Sequence, residues 1–278
     1  MTSLQNKIDF AVVLRVKHAN PNGDPLNGNR PRTDYNGYGE ITDVCLKRKI
    51  RDRLQDAGLA IFVQSDDRKN DDATSLRDRA DKALGKKFGS AETRSLACEK
   101  WMDVRAFGQL FALPKSKKAK AGDEEGDTGI SIPIRGPVTV QSAFSLEPVE
   151  VTSTQITKSV SGEGDGTKRG SDTMGMKHRV DEGIYVFYGS MNPQLAERTG
   201  FSDEDAGAIK AVLPKLFEND ASSARPEGSM EILKIIVDPG IRFVRKNRGW
   251  IRARATFQVS DRARVRGSGR FGTRRIFS

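Results

Sequence analysis

The chain has 278 residues, two cysteines, two histidines and a formal net charge of +10 at pH 7. A chain of this length can bury a full core, and two isolated cysteines fit neither a disulfide framework nor a zinc site. Two histidines exclude a multi-histidine metal centre and no apolar run reaches the roughly 20 residues of a membrane span, so we expect a cytoplasmic protein without membrane contact.

The positive charge is concentrated at the C-terminal end of the sequence. Residues 238–278 hold twelve of the 47 Lys and Arg residues and two of the 37 Asp and Glu residues, which leaves 35 of each for residues 1–237. A nucleic-acid interface on the body must therefore depend on where its charges lie. The basic tail either contacts nucleic acid or is unrelated sequence appended by an altered reading frame.

A strand and a turn-rich loop open the chain. Apolar and polar residues alternate from Ile8 to Lys17, which predicts a strand with one buried face. Residues 20–32 contain four Asn, three Pro and two Gly, and end in Arg30 and Arg32. This composition predicts a stiff loop whose amide and guanidinium donors can hold anionic oxygens such as phosphates. A surface turn with solvated arginines explains the same residues equally well.

A basic helix is predicted next, from Asp43 to about Ala57. Thr42 can cap its first turn, Gly58 can end it, and apolar residues recur at i, i+4 and i+8. Either phosphate binding or ordinary solvation would explain its predicted outer face, which carries Lys47, Arg48, Lys49, Arg51 and Arg53.

The middle of the chain reads as two insertions around a pair of strands. Residues 59–129 are highly charged and predict short helices at Ser75–Leu84 and Ala91–Lys100. Strand patterns begin at Ile130, break at residues 135–137 and continue to Leu146. A polar, glycine-rich stretch at residues 153–179 predicts a long loop or a hairpin arm.

Three further elements follow the arm: a strand at Ile184–Tyr188, a helix from Ser202 to about Phe217 and a strand at Met230–Val237. With the two insertions set aside, the order is strand, helix, strand, strand, helix, strand. This order predicts an α+β, ferredoxin-like fold with an additional strand near Ile184.

Cofactor and aromatic motifs find no support in the sequence. Gly267 to Gly272 matches the dinucleotide-binding pattern by letter, but only six residues follow it, too few for the required helix. No ribonucleoprotein-type aromatic motif falls on a predicted strand. We therefore expect no cofactor. Asp24, Asp34 and Asp43 near the first loop could hold Mg²⁺ in principle, but carboxylates are common in turns and helix caps, which is the favoured interpretation.

Four spaced motifs carry a family resemblance: residues 20–32, Asp103–Gly108, Ile134–Val138 and Thr173–His178. Together they resemble the backbone subunit of the type I-C CRISPR Cascade complex, in the seventh family of CRISPR-associated (Cas) proteins, over roughly residues 5–237. The resemblance implies a ferredoxin-like, RRM-like palm (residues 1–58, 130–152 and 180–237), a helical finger (59–129), a thumb arm (153–179) and the basic tail (238–278).

The resemblance also implies a function. Such a subunit is a non-catalytic scaffold, and its copies form a helical oligomer along one CRISPR guide RNA (crRNA). The scaffold presents the guide for pairing with target DNA in antiviral defence. Its partners are other copies of itself and the large and processing-nuclease subunits. Related subunits of type III complexes are metal-dependent ribonucleases that cut target RNA, and this alternative would use Asp24 or Asp34.

Residue roles follow from the resemblance in the same way. Met174 or Met176 is implied as a wedge between bases, since a thioether is slim and adaptable. The contacts with the guide should be tolerant of sequence and sensitive to salt. The implied RNA-binding residues are Asn20, Asn22, Gly23, Arg30, Arg32, Arg48, Lys49, Arg53, Arg135, Lys158, Lys168, Arg169 and Lys177.

Overall fold

A computed structural model describes residues 2–113, 130–157, 174–238, 244–246 and 249–251 of the chain. The structure is mixed α/β with one large antiparallel sheet. The strands are β1 (Ile8–Ala19), β2 (Gly23–Asp24), β3 (Arg30–Pro31), β4 (Tyr38–Ile41), β5 (Gly108–Leu113), β6 (Ile130–Arg135), β7 (Val138–Val140), β8 (Ala143–Pro148), β9 (Val151–Thr157), β10 (Met174–Met191), β11 (Met230–Asp238), β12 (Val244–Lys246) and β13 (Gly249–Ile251). The helices are α1 (Asp43–Asp56), α2 (Leu76–Leu84), α3 (Thr93–Lys100), α4 (Met102–Phe107), α5 (Pro193–Thr199) and α6 (Asp203–Val212). No helix in these ranges is long and apolar enough to cross a membrane.

The large sheet has the strand order β11-β1-β10-β8-β4, and β7 and β9 also pair with β10. The central pair, β1 and β10, runs in register from Ile8 opposite Met191 to Ala19 opposite Val180. Helices α1 and α6 pack on the apolar residues of this sheet and on each other. Three strands of the predicted order, β1, β8 and β11, lie in this sheet together with β10, which was predicted as an additional strand; the predicted strand at Ile130 lies outside it.

The first strand and the first helix confirm their sequence patterns. Thr42 caps α1 by accepting a hydrogen bond from the amide of Cys45, and the three apolar residues of the predicted core face are fully buried. β1 begins where predicted, but Asp9 and Ala11 on its second face are buried as well. The single-faced burial predicted for this strand therefore holds only for its second half.

The insert, which we define as residues 59–135, has a core of its own. Phe62 packs against Trp101 and Phe111 with ring centroids 4.6 and 5.3 Å apart. Strands β5 and β6 pair with each other, and their inward residues join this second core. The structure thus places Ile130–Arg135 with the insert, whereas the sequence analysis assigned residues 130–152 to the palm. The alternation of apolar and polar residues in a strand does not specify which strand it pairs with, which explains the difference.

The last third of the chain confirms one predicted helix and adds another. Ser202 and Asp205 form a capping box at the predicted start of α6. The helix ends at Val212, short of the predicted Phe217, and a 3-10 turn at Leu213–Lys215 follows it because Pro214 cannot continue the helix. Helix α5, a two-turn helix that is capped by Asn192 and that begins with a proline, was not predicted from the sequence.

Two glycines, Gly108 and Gly136, meet where the insert joins the sheet. Gly108 has a φ of 82°, and a Cβ atom built on Gly136 would overlap the carbonyl oxygen of Ala106 and the amide nitrogen of Gly108. Both obstacles are backbone atoms, which cannot move aside as a side chain would. The second and third motifs of the family resemblance therefore meet in a close backbone crossing.

We expect Gly136→Ala to lower the free energy of unfolding by about 2–4 kcal/mol because the new methyl group overpacks this crossing. Urea unfolding measures the loss. The matched control is Gly207→Ala in α6, where a Cβ atom has open space. That change removes a flexible residue from a helix and should stabilise the protein by up to about 1 kcal/mol. Equal effects of the two substitutions would contradict the steric explanation.

Candidate nucleic-acid interface

The turn-rich loop at residues 20–32 is an ordered hairpin of β2 and β3. The Asp24 side chain accepts a hydrogen bond from the amide of Leu26 at 3.3 Å, and Gly28 ends the short 3-10 turn with a φ of 58°. The amide of Asn29 then donates to the carbonyl of Asp24 at 2.8 Å. Gly23 does not take a positive φ; a side chain there would instead crowd the carbonyl of Asn29. Hydrogen bonds inside the loop thus fix its backbone path, as a stiff loop requires.

Two asparagines hold this loop on the rest of the protein. Asn20 is buried, and its side-chain amide donates to the carbonyl of Asn29 at 2.6 Å. The side-chain oxygen of Asn22 accepts from the amide and the hydroxyl of Thr42 at 3.0 and 2.9 Å. These contacts tie the loop to the end of β1 and the start of α1. Asn20, Asn22 and Gly23 therefore determine the conformation of the loop through contacts with other residues of the protein.

The two arginines at the loop exit differ in their partners. Nη2 of Arg32 lies 3.1 Å from Oδ1 of Asp24, which closes an ion pair inside the loop. Arg30 instead donates from Nη1 to the hydroxyl of Ser153 at 3.1 Å. A guanidinium carries five N–H donors, so this single bond leaves Arg30 able to bind further acceptors. The loop thus reaches the base of the arm.

The described part of the arm is an antiparallel ribbon of β9 and the first residues of β10. Thr157 lies opposite Met174 and Ser153 lies opposite His178. Met174 and Met176 are 67% and 56% exposed, and the alternation of a strand puts them on the same face as His178 and Ser153. Three predicted RNA contacts, Lys158, Lys168 and Arg169, lie outside the described residues.

Polar contacts on both faces fix the base of the arm. On the methionine face, Nδ1 of His178 lies 2.8 Å from the hydroxyl of Ser153. On the opposite face, the Thr152 hydroxyl donates to Asp181 at 2.6 Å, and Arg179 donates to it at 3.1 Å. The Thr152 hydrogen bond is the main cause of the lowered pKa of Asp181. His18 also approaches this carboxylate, with Nδ1 3.7 Å from Oδ1.

The exposed basic face predicted for α1 is only partly present. Lys49 and Arg53 are buried, since the segment at residues 218–225 covers them. Lys49 forms an ion pair with Asp220, and Arg53 donates to the carbonyl of Glu218. The prediction that these two residues lie on the outer face is wrong, because this covering segment lies about 170 residues away in the sequence. Arg48 stays partly exposed and donates to Asp52 at 2.9 Å.

Two predicted phosphate ligands have no charged partner among the residues that the structure describes. Arg135 at the end of β6 and Lys177 on the arm are exposed. Neither has a hydrogen bond or an ion pair with another residue in the described ranges. Unpaired cations of this kind can bind a phosphate without first breaking an existing ion pair.

Both acidic candidates for catalysis are engaged in turns. Oδ1 of Asp34 accepts hydrogen bonds from the amides of Asn36 and Tyr38, each at 2.9 Å. Asp24 caps the 3-10 turn and pairs with Arg32, as described above. Across the part of the chain that the structure describes, no three His, Cys, Asp or Glu side chains gather in a possible metal site.

Comparison with known proteins identifies the family of this chain. The family model for "CRISPR-associated protein Cas7" matches residues 6–238. The chain belongs to the Cas7 family. A CRISPR-associated protein Cas7 from Haloferax volcanii is 31% identical over 256 residues, which cover 86% of this chain and 72% of that protein.

Two solved chains also align with this Cas7 family member. They are described as "CRISPR RNA-guided surveillance complex, pre-nicking" and "CRISPR RNA-guided surveillance complex". Their TM-scores are 0.45 and 0.43, and their sequences are 13% and 16% identical to this one. The alignments cover 84% and 87% of this chain and 78% and 77% of the solved chains.

The second motif of this Cas7 chain, Asp103–Gly108, has a structural role that the sequence analysis missed. Asp103 is fully buried and accepts from the amides of Phe62 and Val63 at 2.7 and 3.1 Å. It also pairs with Arg51 of α1 at 2.9 Å. Two residues later, the Arg105 guanidinium donates two hydrogen bonds of 2.7 Å to the carboxylate of Asp205 in α6. The motif therefore joins the insert to the helices on the sheet.

Proposed function

We propose that this Cas7 family member is a non-catalytic scaffold that binds CRISPR guide RNA. Its copies form the helical backbone of a type I-C Cascade complex and present the guide for pairing with target DNA in antiviral defence. The family match over residues 6–238 carries this proposal. The proposed partners are the guide RNA, target DNA through the guide, other copies of the chain, and the large and processing-nuclease subunits.

In this proposal the sheet is a ferredoxin-like, RRM-like palm. The succession β1, α1, β8, β10, α6, β11 and the sheet order β11-β1-β10-β8 support this assignment. The insert is the finger, and the ribbon of β9 and β10 with the residues between them is the thumb.

The guide backbone would lie between the first loop and the arm. Arg30 joins these two parts, and Arg48, Arg135 and Lys177 offer accessible cations. We retain Arg32 as a contact through its donors that do not face Asp24, and Lys158, Lys168 and Arg169 as contacts from the arm. We leave out Lys49 and Arg53, because their charges are already neutralised inside the protein. Phosphate contacts of this kind position the guide without reading its sequence.

Met174 and Met176 remain the proposed base wedges. Both side chains are exposed at successive positions of one strand face, and the sulfur of Met174 accepts a hydrogen bond from the Gln155 amide at 3.7 Å. A nucleobase offers the apolar surface that would cover them.

The rival activity is metal-dependent cleavage of target RNA by Asp24 or Asp34. We propose instead that both residues are turn formers, because their oxygens already accept backbone amides. Cleavage of a complementary RNA by the assembled complex with Mg²⁺, lost in Asp24→Ala or in Asp34→Ala, would establish the rival.

Purification from cells that carry a CRISPR array tests the proposed function. The proposal predicts that the protein carries with it small RNA of one uniform length derived from the array. RNA of random length and origin would point to a general RNA-binding protein, and the absence of RNA would reject the scaffold function.

A further inference from the structure

We propose that Ser153 is a positioning residue whose hydroxyl seats the arm on the first loop. The hydroxyl lies 3.1 Å from Nη1 of Arg30 in β3 and 2.8 Å from Nδ1 of His178 in β10. The proposal rests on the proposed function for its purpose, since a seated arm would hold Met174 and Met176 at a defined distance from the loop.

Donor and acceptor chemistry gives the contact a direction. The Arg30 guanidinium can only donate, so Oγ of Ser153 accepts from it. Nδ1 of His178 lies within hydrogen-bond distance of the same hydroxyl, which can donate its proton to an unprotonated Nδ1 or accept from an Nδ1–H through its second lone pair. The Ser153 hydroxyl therefore links Arg30 of the loop to His178 of the arm.

The Ser153 contact lies on the methionine face of the ribbon. Gln155 of β9 and Met176 of β10 are its neutral neighbours on this face. Lys177, Arg179 and Asp181, with His18 of β1, lie on the opposite face of the ribbon. Loss of the Ser153 hydroxyl should therefore release the arm from the loop.

Distance measurement in the RNA-free protein tests this inference. Spin labels at Leu26→Cys on the loop tip and Thr154→Cys on the far face of β9 report the distance between loop and arm, with Cys45 and Cys98 replaced by alanine. Both label positions are exposed. We expect one narrow distance in the parent protein.

Three variants separate positioning from general structure. Ser153→Ala should lose the narrow distance, and Ser153→Thr should restore it because threonine keeps the hydroxyl. His178→Gln keeps a side chain that can hydrogen-bond to Ser153, so its distance should stay narrow. A Ser153→Ala distribution equal to that of the parent, or a Ser153→Thr distribution as broad as that of Ser153→Ala, would overturn the inference.

Guide binding is measured separately on the same variants. If the parent protein binds guide RNA while Ser153→Ala leaves the distance unchanged, the seat is rejected and the scaffold function stands. If the seat behaves as expected but no RNA binds, the scaffold function is rejected and the seat stands.

Discussion

Replacing Asp103 by alanine is expected to lower the free energy of unfolding by about 3–5 kcal/mol, because one partner of a buried ion pair is removed. The substitution leaves the Arg51 guanidinium, which is mostly buried, without its carboxylate. It also leaves the amides of Phe62 and Val63 without an acceptor. Urea unfolding followed by the fluorescence of Trp101, which is buried in the core of the insert, measures the change.

The control for this prediction is an exposed ion pair within the insert. Asp81 and Arg77 lie 3.7 Å apart on α2, and both side chains are 53% exposed. Asp81→Ala should cost less than about 1 kcal/mol because water screens the pair. A loss for Asp103→Ala as small as the loss for Asp81→Ala would show that the insert is not held through this carboxylate.

Reversing two exposed charges, in the double variant Arg135→Glu and Lys177→Glu, is expected to weaken guide-RNA binding at least tenfold, since each contact releases counterions from RNA. Both side chains are exposed and unpaired within the described ranges, so folding should be unaffected. The slope of log affinity against log salt should also fall by roughly 1.4 for two lost phosphate contacts on single-stranded RNA. Binding titrations at several salt concentrations measure both quantities.

The matched control is Lys210→Glu with Lys215→Glu, which makes the same change in net charge. These lysines are exposed on α6 and on the turn after it. Equal losses of affinity in the two double variants would show that overall charge, and not the placement of Arg135 and Lys177, governs binding.

Elements defined by local signals were predictable from the sequence. The alternation of β1, the Thr42 cap of α1 and the capping box of α6 each involve residues within a few positions of one another. Long-range packing was not predictable from the sequence. The burial of Lys49 and Arg53 depends on residues 218–225, and the pairing of β6 with β5 depends on a partner that its own pattern does not specify.

The local features of the candidate interface were likewise predictable, but the contact between its parts was not. Composition marked the loop at residues 20–32 and predicted its stiffness, and the polar stretch at residues 153–179 indicated an arm. The joint between them was missed because Ser153 faces His178 only in the observed strand register. A serine in a polar stretch gives no sign in the sequence that it has a structural role. Knowledge of a single pair of opposed residues in the arm would have been enough to place Ser153 beside His178.

Sizing the purified protein with guide RNAs of increasing length, by light scattering, tests the scaffold function most directly. A scaffold that polymerises on the guide predicts that the number of bound copies rises in steps with RNA length, and that no such oligomer forms without RNA. One bound copy at every RNA length would contradict the account and identify a monomeric RNA-binding protein.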